Sequence, residues 1–297
     1  MMRVGTTGTA FFAMTALAMA ASVATPQDTW KTEIAKANKH FSVEQHAILK
    51  IQDAAYLGEG QSATLTGTKG KPESYRWVMG KKPGGVLIAT YAKGHTSAVM
   101  NGKAIAEATL NKAVPVDADV EIMSQATQVN AGVNGVRIFL YNQKAAAAKA
   151  FKGLDYFAYD PAYRVQANFK PDPKLVPHAF RTSRGTDKQF FHAGEATFTL
   201  QGKTFTLPFY TDSNEPKKIT SLSAFFTDGL TGKVTYGAGR YVDIEKFGTY
   251  PPKTMTIDFN FAYNPNCARS DFYTCPIAID DLAMAVNAGE KDPHTKH

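Results

Sequence analysis

From Gln61 to Tyr141 the chain is written in short apolar or alternating runs cut by glycine and proline: "SATLTG", "YRWVMG", "GVLIATYA", "TSAVMNGK" and "VRIFLYN". This punctuation leaves no room for a long helix. Runs of four to eight residues with a period of two, bounded by turn formers, read as strands of a sandwich or a partly closed barrel. The later sequence continues in the same style. "AYRVQANFKP" sets Tyr163, Val165, Ala167 and Phe169 on one face against Arg164, Gln166 and Asn168 on the other. "ATFTLQGKTFTLPFY" reads as a hairpin, with Phe198 and Leu200 facing Phe205 and Leu207 across a Gln201-Gly202 turn. Between these lies "KPDPKLVPHAFRTSRGTDKQF", whose prolines and polar residues read as a long loop.

The expected fold is mainly β, with α+β character at the N-terminus and two strand-rich halves. Residues 25–150 make the first half and 151–290 the second, with the alanine-rich "KAAAAKAFKG" at the seam and a frayed tail at 291–297. Short helices should precede the strands. "TPQDTWKTEIAKANKHF" spaces Trp30, Ile34, Ala37 and Phe41 as a helical stripe with Asp28 as N-cap, and Ser42 with Gln45 resembles a capping box ahead of a second helix in "SVEQHAILKIQDAAYL".

Residues 1–24 read differently. "MMRVGTTGTAFFAMTALAMAASVA" has one early cation, Arg3, then an apolar run from Phe11 to Ala21 that closes on Ser22-Val23-Ala24. That is the form of a cleavable secretory signal, and the run is shorter than the about 20 residues that span a bilayer. The expected location is periplasmic or secreted, with no integral membrane segment after cleavage. The formal net charge is +7, or +6 once Arg3 is removed, but the lysines are scattered singly with no basic block. This argues against nucleic acid and for a mild preference for anions.

An exported chain meets an oxidising compartment. Both cysteines of the sequence, Cys267 and Cys275, fall in "DFNFAYNPNCARSDFYTCP". A disulfide between them would close a small loop, worth roughly 2 to 3 kcal/mol in the chain-entropy treatment. A tetrahedral zinc site needs about four ligands, and no histidine lies between His192 and His294. A disulfide is therefore expected, and no metal. No Walker loop, dinucleotide fingerprint, nucleophile elbow or zincin helix occurs, so no cofactor is expected.

The chemistry-bearing residues gather late in the chain. In "KTMTIDFNFAYN" Met255, Ile257, Phe259, Phe261 and Tyr263 share one strand face, which sets Asp258 and Asn260 side by side on the other. In the segment before it, Val234, Tyr236, Ala238, Arg240, Val242 and Ile244 share a face, and an arginine in that company needs an anionic partner. Asp258 is the expected partner. Asp228 with Thr231-Gly232 suits a turn.

"FFTDGLTGKVTYGAGRYVDIE", "IDFNFAYNPNCARSDFYTCP" and "AGEK" together resemble the C-terminal signature of the domain-of-unknown-function 1684 family. "VRIFLYNQKAAAAKAFKGLDYFAYDPAYRVQANF" is similar to that family's middle segment. The chain departs from the pattern at "IAIDDLAMAV", where Asp280 and Asp281 stand near the place of a proline-rich turn and an asparagine, and "AILKIQDAAYL" only loosely echoes the family's early segment. The resemblance implies a grouping without a mechanism.

Three functions follow as expectations. The first is binding of a small polar or anionic ligand through the second half, Arg240 meeting the anion while Asp258, Asn260, Tyr263, Asn264 and Asp228 supply hydrogen bonds. The second is a hydrolase without a familiar motif, using Asp258 and Arg240, or a histidine base at His178 or His192. The third is a structural envelope module.

Overall fold

A computed structural model describes residues 24–245 and 247–294. Residues 1–23, which hold most of the segment read as a signal, and the last three residues of the chain lie outside them. Nine strands form the first half: β1 (Ile51–Leu57), β2 (Ser62–Thr68), β3 (Lys71–Met79), β4 (Leu87–Ala92), β5 (His95–Met100), β6 (Lys103–Ile105), β7 (Val114–Asp117), β8 (Val120–Asn130) and β9 (Val133–Asn142). They make a four-stranded sheet, β1-β9-β8-β7, and a five-stranded one, β3-β2-β4-β5-β6. Leu57, Val136 and Ile138 of the first pack with Leu65, Leu87 and Ala89 of the second in one buried cluster, so the two sheets share a core.

The second half adds β10 (Arg164–Arg181), β11 (Asp187–Leu200), β12 (Lys203–Thr211), β13 (Leu222–Thr227), β14 (Arg240–Ile244) and β15 (Thr254–Asp258), ordered β14-β13-β12-β11-β10-β15. A two-residue β16 (Asp280–Asp281) runs parallel to β13. One face of this sheet buries Phe198, Leu207, Phe209, Phe226 and Val242 beneath Leu282, Val286 and Ala288. The other face carries Phe180, Tyr210, Phe225 and Tyr241. The protein is mainly β, as its punctuation implies.

The alternation over 163–169 and the Gln201-Gly202 turn stand as read: Phe198 opposes Phe205, and both turn residues have positive φ, 50° and 78°, although Leu200 opposes Lys203 and Leu207 opposes Ala196. Elsewhere the structure differs. Helix α1 spans Pro26–Ser42, but its N-cap is Thr25; Asp28 sits three residues in and closes a capping box with it. The second helix does not form. Only a 3₁₀ turn, Ile48–Lys50, precedes β1, because pairing with β9 eighty residues on outweighs the local capping pattern. The proline-rich stretch is no loop either. β10 continues through it to Arg181, with a register shift between Pro171 and Val176 that accommodates residues lacking an N–H. The strand expected from Val234 begins only at Arg240, since Asp228–Gly239 is folded into consecutive turns.

Candidate functional site

Arg240 is fully buried, and its anionic partner is Asp228, at 3.1 Å, in place of the expected Asp258. The turns after Asp228 bring the two together. The guanidinium also donates to the carbonyls of Val286, at 3.1 Å, and Ala288. Asp228 accepts from Thr231 Oγ1 at 3.0 Å, Thr235 Oγ1 at 3.4 Å and Val286 N–H at 2.8 Å. Burial lowers the Arg240 pKa, against the pull of Asp228. The pair thus fastens segment 282–288 over the core and presents no face to a ligand.

Asp258 ends β15 and caps a 3₁₀ turn, Phe259–Phe261, so the strand does not reach Tyr263. Asn260 is consequently turned inward and buried, and its amide exchanges hydrogen bonds with the Asp160 backbone at 2.8 and 2.9 Å. Asp258 accepts from Asn260 and lies 3.6 Å from Arg164. Burial raises its pKa, opposed by those partners. Asp258, Arg164, Tyr263 and Asp243 line an open groove of about 650 Å³ beside the start of α1, in which Tyr263 donates to Asp243 at 2.7 Å. Asn264 lies apart from this groove: its N–H donates to Glu290 at 2.8 Å, and Glu290 pairs with Arg269 at 2.7 Å. The six expected ligand residues therefore fall into four separate hydrogen-bonded groups: Arg240 with Asp228, Asp258 with Asn260, Tyr263 with Asp243, and Asn264 with Glu290.

The cysteine segment spans the seam between the halves. Phe272 and Tyr273 cover Ile51, Phe139 and Tyr141 on the outer face of the β1-β9-β8 sheet. Tyr56 donates to the Phe272 carbonyl at 2.7 Å, and Arg184 to that of Asp271 at 2.6 Å. The expected disulfide is not formed: Cys267 and Cys275 are thiols, close enough that the Cys267 N–H donates to Cys275 Sγ at 3.4 Å.

Beside this bridge lies a cleft of about 870 Å³ shared by both halves. Arg137 of β9 and Lys188 of β11 line it, with Gln125, Gln128, Asn111 and Asp212. Gln128 closes one side by binding the Gln189 backbone N–H and carbonyl, both at 2.9 Å. The Arg137 guanidinium is aimed by Gln125, at 2.7 and 3.0 Å, and stacks on Phe139 and Tyr273. Burial and the Arg137 charge lower the Lys188 pKa. Among the described residues neither cation forms an ion pair. Sequence reasoning missed both, although Arg137 stands in the apolar run "VRIFLYN" just as Arg240 stands in its own.

The histidines have other partners. His192 Nδ1 is 2.6 Å from Asp172, and both His192 and His178 flank the Tyr210 ring. Neither reaches Asp228 or Asp258. Among the described residues no group of three or more His, Cys, Asp or Glu is placed to hold a metal, and no helix is long and apolar enough to cross a membrane.

Residues 149–291, which hold the Asp228–Arg240 lock, the Asp258 turn and both cysteines, match the family model described as Protein of unknown function (DUF1684). The chain belongs to the DUF1684 family. An uncharacterized protein of Haloarcula marismortui, solved in solution by NMR, is 32% identical to it, over 50% of this chain and 80% of that one, with a TM-score of 0.42. No curated protein matches. Within this DUF1684 protein the matched stretch supplies Lys188 to the seam cleft, whereas Arg137 precedes it.

Proposed function

We propose that this DUF1684 protein is an exported binding protein that holds a small anion in the seam cleft, between Arg137 and Lys188. The observation that carries the reading is that two cations, with no ion pair for either among the described residues, line one polar cleft, the charge of Arg137 acting on Lys188. Like charges so placed repel, and an anion between them relieves the repulsion while gaining charge-assisted hydrogen bonds of about 1.5 to 3 kcal/mol each. The mild positive balance of the chain and its signal-like leader agree with this role.

The test is calorimetric titration with phosphate and with citrate at low salt. Lys188→Gln, which keeps the length and removes the charge, should weaken binding at least about tenfold at unchanged thermal stability. Because an anion raises the lowered Lys188 pKa, binding should also take up protons in the alkaline range, and Lys188→Gln should abolish that uptake. Affinity unchanged in the variant, or no binding of either anion by the wild type, refutes the proposal.

One observation favours a second reading. The raised Asp258 carboxyl lines the open groove, which suits a general acid of a hydrolase. A broad ester and glycoside screen in which Asp258→Asn keeps any activity found would remove it.

A further inference from the structure

The two thiols occupy unequal positions. Cys275 is buried and is pinned to the β10–β11 corner: its carbonyl accepts the Ser183 N–H at 3.0 Å, and Ile277 N–H donates to the Arg181 carbonyl at 2.8 Å. Cys267 is half-exposed in the 3₁₀ turn Asn266–Ala268, held by the Ala268 N–H on the Pro265 carbonyl at 2.8 Å. The two anchors are independent, and they bring the two residues into contact, the Cys267 N–H donating to Cys275 Sγ at 3.4 Å. Ser183 shares this corner, its hydroxyl accepting the Cys275 N–H at 3.4 Å and donating to the Tyr273 carbonyl at 3.3 Å. A half-exposed thiol in contact with a buried one is the arrangement of an attacking and a resolving cysteine.

We propose that Cys267 and Cys275 form a redox-active dithiol that exchanges with an external disulfide, Cys267 attacking and Cys275 resolving. The Cys267 thiolate attacks one sulfur of the incoming disulfide R–S–S–R′. That bond breaks, R′–S⁻ leaves and takes a proton, and Cys267 is joined to R through sulfur. Cys275 then gives its proton to solvent and attacks Cys267 Sγ, expelling R–S⁻, which is protonated in turn. Overall the protein dithiol is oxidised to a disulfide and the external disulfide is reduced to two thiols. The partner is a disulfide-bearing small thiol or an exposed protein disulfide. The adjoining Cys275 thiol pulls the Cys267 pKa down to about 7, against burial, so a large fraction of it is thiolate near neutrality. The neighbouring Cys267 sulfur and then burial push that of Cys275 upward, as suits a group called on second. The chemistry is independent of anion binding, although Lys188 and the cleft lie along the same β11 strand that follows the Ser183 corner.

The experiment poises the folded protein in mixtures of oxidised and reduced glutathione and reads its intact mass. Oxidising mixtures should remove two hydrogens, and excess reduced glutathione should restore them. Cys275→Ser should accumulate one glutathione, on Cys267, while Cys267→Ser accumulates none. Iodoacetamide labelling of the folded wild type should be half-maximal at about pH 7, against about 8.5 for an ordinary thiol. Labelling of Cys275→Ala, which has no side-chain donor, should move up toward the ordinary value. A mass that never changes, a disulfide that resists excess reduced glutathione, or labelling that begins only after unfolding overturns the proposal. The wild-type labelling profile decides the matter even where a variant does not fold.

Discussion

Replacing Arg240 with methionine keeps most of the side-chain volume and deletes the guanidinium. Three acceptors then lose a donor inside the core: Asp228, and the carbonyls of Val286 and Ala288. Asp228 keeps Thr231, Thr235 and the Val286 N–H, so its charge stays partly satisfied. Breaking a buried pair by removing one partner costs about 3 to 5 kcal/mol. With a urea slope of about 2 kcal/mol per molar, a loss of ~4 kcal/mol lowers the unfolding midpoint of this half by about 2 M. The assay has a convenient reporter, because the two tryptophans pack against different halves. Trp30 donates to the Asn260 carbonyl at 2.9 Å and packs on Tyr156 and Tyr159, whereas Trp77 belongs to β3. In a Trp77→Phe background, fluorescence follows the second half alone. The double variant Asp228→Asn with Arg240→Met removes both charges and should unfold at higher urea than Arg240→Met by itself, since no unpaired carboxylate remains. A midpoint unmoved by Arg240→Met, or a double variant that loses the sum of the two single losses, would show that the pair is not the lock described.

Gly239→Ala should be nearly as damaging. The residue has φ of 84°, and a Cβ there would stand 2.4 Å from the Ala278 Cβ and 2.7 Å from the Phe226 carbonyl oxygen. Positive-φ strain and overpacking together cost about 3 kcal/mol, and the same urea titration measures it. Asp258→Asn tests the groove carboxyl. A carboxyl raised above its ordinary value contributes stability at low pH that is lost as pH rises through the folded pKa. The variant lacks that loss, so its thermal midpoint relative to wild type should climb from pH 3.8 upward and then level off. A gap that is flat or falls over this range refutes the assignment.

Local signals in the sequence were sufficient wherever the partner is close in the chain. The alternation of Tyr163 to Phe169 and the Gln201-Gly202 turn carry their own pairing, because a hairpin fixes register through its loop. The same logic failed across longer separations. Ser42 and Gln45 look like a helix start, yet β1 is decided by β9, which no local pattern announces. The prolines of "KPDPKLVP" look like a loop because each lacks a donor, and the register shift that tolerates them is a property of the partner strand. For the site, the cost of an unpaired arginine correctly required an acidic partner for Arg240, but strand alternation chose the wrong one. Alternation assumed that Asp228–Gly239 and Phe259–Tyr263 were extended, and both are turns. Arg137 and Lys188 come to line one cleft only through the docking of the two halves, and the sole trace of that in the sequence is a cation within an apolar run.

The segment from Leu282 to Glu290 closes the core of the second half, and it follows in the chain every strand that it covers. During synthesis the sheet therefore emerges with Asp228 and Arg240 already facing each other and the backbone groups of Val286 and Ala288 still missing. At about 5 to 20 residues per second that interval is short, but the half remains open throughout it. A chain stalled or clipped ahead of Val286 would hold the complete sheet and lack the strap that seals it, so the final stretch of this half is where its quality is decided.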